Sequence, residues 1–136
     1  MKYQTEMDAI PNCPPNAKEQ VQMTAYRLVK DPVDADGFLP PGILNPSRVD
    51  SADVETKCSF YALSFFTTEA KAEKHYNKLK GKVPNLEKTI GKNIAEGSLV
   101  GIDGFATKPS TRSGHFDFYE RASCNLAPKF QITKRL

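Results

Sequence analysis

Prolines decide where this chain can carry regular structure. Pro32, Pro40, Pro41 and Pro46 crowd residues 31–56, together with Asp36-Gly37 and Asn45. A proline fixes φ and has no N–H, so at this density neither a long helix nor a central strand can run through. So long a loop in a compact domain is usually functional or anchored by its own apolar residues. Phe38, Leu39, Ile43 and Leu44 are the anchors at hand, and Ser47 to Glu55 leaves room for a turn of helix. Pro11, Pro14 and Pro15 act likewise on residues 1–19, which read as an irregular arm on the surface of a single domain spanning 20–136. A chain of 136 residues is the usual size for one domain.

Outside these stretches the apolar pattern is regular. From Val21 to Val29 the odd positions are Val21, Met23, Ala25, Arg27 and Val29, so one face is apolar except for Arg27. Lys57 to Phe66 is apolar on both faces and predicts a central strand. Thr67-Thr68-Glu69 supplies an N-cap and a first-turn acid for a helix running to Lys80, with Gly81 as its C-cap and Ala72, Tyr76 and Leu79 as its inward stripe. Pro84 to Ile90 allows a short helix ended by Gly91. Strands follow at Asn93–Val100, 114–120 and Lys129–Lys134, the last with Phe130 and Ile132 inward. The pattern predicts an α+β fold, with a mostly antiparallel sheet, one principal helix and long proline-rich loops.

The strand at 114–120 concentrates the most potential chemistry. His115, Asp117 and Tyr119 share one face, opposite Phe116, Phe118 and Glu120. Asp117 could orient His115 as a base, although i and i+2 side chains of a strand stand well apart, and an exposed polar face accounts for them equally well. Arg27 cannot lose its charge. It requires a salt bridge (to Glu96, Glu120 or Asp117), a route to solvent, or an anion clamped at a cleft. Ser64 precedes a helix N-terminus whose free amides could receive an anion. Lys71, His75, Lys78 and Lys82 make one helix ridge basic, but Glu69 and Glu73 dilute it. With a net charge of only +3, the chain argues against nucleic acid.

The three cysteines, Cys13, Cys58 and Cys124, are odd in number and far apart. With only two histidines, a four-ligand metal site would consume nearly the whole inventory, so no metal is expected. Reduced thiols, no signal-like apolar segment at the N-terminus and no run long enough to span a membrane lead to an expectation of a cytoplasmic protein.

Three short elements together resemble the arginine–serine–glutamate type of the ADP-ribosyltransferase fold. These are Ala25-Tyr26-Arg27-Leu28-Val29, Leu63-Ser64-Phe65-Phe66-Thr67 and Phe118-Tyr119-Glu120. The resemblance implies that Arg27 binds NAD phosphates, Ser64 supports the nicotinamide ribose and Glu120 is the catalytic acid. His115 and Tyr119 are further candidates for cofactor contact. The chain departs from that pattern: the serine–aromatic–serine element is absent, and Phe118 stands where a second glutamate or glutamine is usual. No other catalytic or cofactor motif is complete. The leading expectation is therefore a small soluble binding or accessory module that acts through protein contacts without a cofactor. The alternative is an NAD-consuming ADP-ribosyltransferase-like enzyme.

Overall fold

The computed structural model describes residues 1–15 and 18–136. Seven antiparallel strands form one sheet: β1 Lys18–Gln20, β2 Met23–Val29, β3 Leu63–Phe66, β4 Asn93–Leu99, β5 Gly104–Thr107, β6 His115–Glu120 and β7 Phe130–Arg135, in the order β1-β5-β6-β3-β2-β4-β7. The helices are α1 Gln4–Asp8, α2 Pro41–Leu44, α3 Pro46–Ser51, α4 Val54–Lys57, α5 Glu69–Lys80 and α6 Leu86–Thr89. The α+β expectation is met. Among the described residues no helix is long and apolar enough to cross a membrane.

The period-two alternation sorts side chains onto two faces. Val21, Ala25, Val29, Phe65, Phe116 and Phe118 build the larger core, completed by Phe38, Leu126 and Phe130. On the other face Leu28, Phe66 and Ile94 receive Ala72 and Tyr76 of α5, with Leu86 of α6. The Thr68 side chain accepts the amide of Lys71, and Gly81 follows the last turn. Gly91 closes α6 with φ of +84°; a Cβ there would lie 2.0 Å from the Val29 carbonyl oxygen, so only glycine permits the chain to pass.

Four expectations are corrected. The Lys57–Phe66 strand begins only at Leu63, because Val54–Lys57 is helical and Cys58–Tyr61 forms a tight 3-10 turn. Apolar residues on both sides there reflect a buried turn against the N-terminal segment, not a strand between two layers. The proline-rich stretch is less irregular than expected, since Pro41 and Pro46 open α2 and α3, where a missing N–H is harmless. The N-terminal segment is structured: α1 buries Met7, Ile10 follows it into a cluster with Val49, Tyr61, Ala62 and Tyr119, and Lys18–Gln20 adds a strand beside β5.

The fourth correction concerns the thiols. Cys13 and Cys58, 45 residues apart, are joined in a disulfide, and only Cys124 is free and buried. Burial, with Glu120 and Asp103 nearby, pushes the Cys124 thiol up to about 12. An odd count left one thiol over instead of leaving all three reduced, so the cytoplasmic expectation loses one of its three grounds, the reduced thiols.

Candidate functional site: a cleft where two strands part

β2 and β4 pair along their whole length, but β2 and β3 share one bridged pair, Tyr26↔Phe66. Beyond it the two strands separate. The gap is walled by α5, α6 and residues 31–44, and forms a cleft of about 610 Å³. Its lining is mostly apolar, with Leu39, Leu44, Phe66, Leu79 and Ile90 among the walls. Leu44 stands 62% exposed.

Arg27 and Ser64 both line this cleft. The Arg27 side chain stays on the larger-core face, within 5.6 Å of the Phe38 and Phe65 ring centres. Its Nε donates to the Gly37 carbonyl at 3.1 Å and its Nη1 to the Ser64 carbonyl at 2.8 Å. None of the salt bridges expected for it is formed among the described residues. Burial pulls its pKa down to about 10, a drop that Glu120 partly opposes, so the charge survives at neutral pH.

The Ser64 Oγ lies 3.0 Å from His115 Nε2, and Asp117 Oδ1 lies 3.7 Å from the same nitrogen. Antiparallel pairing sets Ser64 opposite Asp117, which brings His115 within diagonal reach of the hydroxyl. A serine–histidine–aspartate triad needs the acid on the other ring nitrogen, so this set is a hydrogen-bond relay without triad orientation. Desolvation raises the Asp117 pKa, against the pull of His115.

The other expected site residues lie elsewhere. Tyr119 is buried under the N-terminal segment, its hydroxyl 3.5 Å from the Cys58 sulfur, and burial raises its pKa. Glu120 is 4% exposed, does not line the cleft, and is held by Lys2, whose Nζ reaches its Oε2 at 2.7 Å and the Cys124 carbonyl at 2.6 Å. Arg27, Ser64 and Glu120 therefore do not line a common cavity. Lys2 was missed because nothing in the pattern of residues 1–19 predicts a partner 118 positions away. Among the described residues no group of His, Cys, Asp and Glu could hold a metal.

His75, expected on the solvated ridge of α5, instead lines the cleft and packs 5.0 Å from the Phe66 ring, with His115 5.6 Å from the same ring. Burial first, then His115 and Lys78, hold the His75 imidazole below its ordinary 6.5. A folded-state pKa below the unfolded value means that protonation favours unfolding. This part of the stability is complete above pH 6.5 and declines as pH falls through that value toward the folded pKa. An NMR titration is expected to place the His75 midpoint below 6.5. His115→Gln should move it up only part of the way, because burial is the larger cause; an unchanged midpoint would show that the two rings do not interact.

Comparison with protein-family models, curated proteins and solved structures returned no match.

Proposed function

We propose that the protein is a small binding module and that what it binds enters the cleft between β2, β3, α5 and residues 31–44. The observation that carries this reading is the cleft itself: about 610 Å³, mostly apolar, with Arg27, Ser64 and His75 among its polar groups. Ligand sites commonly have this size and composition. The protein-contact expectation is thereby narrowed to a partner that inserts a projecting apolar segment. The disulfide supports a place of work where such bonds persist, an oxidising compartment instead of the cytoplasm.

The neutral apolar dye N-phenylnaphthylamine tests the cleft. Its fluorescence is expected to rise and saturate at one dye per chain, and Leu79→Trp, which fills the cleft, should abolish the rise. Absence of saturable enhancement with the native protein would refute the reading. NAD is the competing ligand, since Arg27 and Ser64 share the wall. With Glu120 tied to Lys2 outside that wall, no thermal stabilisation by NAD is expected. NAD stabilisation that Arg27→Ala removes would favour the transferase reading instead.

A further inference from the structure

We infer that the cleft receives the carboxyl-terminal end of a partner chain, apolar at its last residue and basic a few residues upstream. The inference rests on the cleft being the binding site, and three separate features of the cleft lead to it.

The first is Arg27. Two of its five N–H donors are spent on main-chain carbonyls. Among the described residues its charge has no carboxylate within salt-bridge distance; Glu120, whose Oε2 is paired with Lys2, acts on it only at longer range. A half-buried cation with no contacting counter-charge is unfavourable. The planar guanidinium fits a carboxylate through paired hydrogen bonds, and an entering carboxylate would supply the missing charge.

The second feature is the main chain. Arg27, Leu28, Val29 and Lys30 line the cleft consecutively. The first three belong to β2, and in a strand alternate side chains point to opposite faces, so three in a row means that the strand's backbone itself faces the cavity. The facing edges of β2 and β3 part after one bridged pair. An extended chain could hydrogen-bond to the β2 edge, as strand-adding peptides do, the Ser64 carbonyl of β3 being already taken by Arg27; an alkyl chain could not.

The third is the charge at the mouth. Asp34 and Asp36 are exposed there, whereas Asp31 is taken by Arg135 at 2.8 Å. Asp36, and Asp34 whose Oδ1 also accepts the Asp36 amide, stand outside a half-buried guanidinium, with Lys30 on the same wall; the two carboxylates complement a ligand whose negative end goes in first and whose positive residue stays outside.

The test is a peptide library displayed with free carboxyl termini and its last few positions randomised. Enrichment of apolar final residues with a basic residue upstream is expected. The enriched peptide should bind at least roughly tenfold more tightly as the free acid than as its carboxyl-terminal amide, read by fluorescence anisotropy. Arg27→Gln should erase that difference, with circular dichroism confirming the fold; should that variant not fold, the acid–amide comparison on the native protein decides alone. Equal binding of acid and amide, or no enrichment, overturns the inference. So does decanoate that displaces the peptide and binds more tightly, since the occupant would then be an alkyl carboxylate. Where the dye still saturates the cleft, only this inference falls; where it does not, the binding-site reading falls as well.

Discussion

Replacing both Cys13 and Cys58 by serine is expected to lower the unfolding free energy by about 4 kcal/mol, the chain-entropy value for closing a loop of this span, within the usual range of about 2 to 5 kcal/mol. The bond joins residues 45 apart and ties the N-terminal segment to the turn before β3. Urea midpoints of the native and doubly substituted proteins measure the loss. A change below about 1 kcal/mol would mean that Met7, Ile10 and the Lys2–Glu120 pair hold the segment without the bond. Thiol titration supplies a direct count: Cys124 alone should react in denaturant without reductant, and all three cysteines after reduction.

Tyr76→Ala is expected to destabilise by about 3 to 5 kcal/mol, as truncation of a large aromatic in a packed core does. Tyr76 is 4% exposed and sits among Leu28, Phe66, Leu86 and Ile94, so it holds α5 on the sheet. The same helix carries His75 and Leu79 into the cleft. Dye affinity should therefore fall together with the melting temperature. A loss under about 1 kcal/mol would show that α5 is held by other contacts, such as Lys134 on Glu73 at 2.7 Å.

What could be read beforehand follows from the range of the interactions involved. The strands at β2, β4, β6 and β7 and the helix α5 declare themselves through local periodicity and caps, and all five were legible. The start of β3 was not. Cys58, Phe60, Ala62 and Phe66 mimic a strand, but the first two lie in a turn whose apolar side chains meet residues from the far N-terminus. The site divides the same way. An arginine on an apolar strand face announces itself, while its partners, the carbonyls of Gly37 and Ser64, carry no residue signature. Ser64 and His115 meet because of strand register, and Cys13 finds Cys58 and not Cys124 because of the packing of α1; both depend on contacts across the chain.

The strand order sets a timetable. Only β2 with β3 and β5 with β6 are neighbours both along the chain and in the sheet, and the first of these shares a single bridged pair across a long connection. β6 must slot between β5 and β3, and β7 can dock only once β4 is in place on β2. A sheet assembled from such distant pieces belongs with slow folders, on the order of milliseconds to seconds. During synthesis β2 can pair with β4, but β3 has only one bridged pair, to β2, until β6 has emerged. Until then the face of β2 and β3 that Phe116, Phe118 and Phe130 complete stays open to other chains.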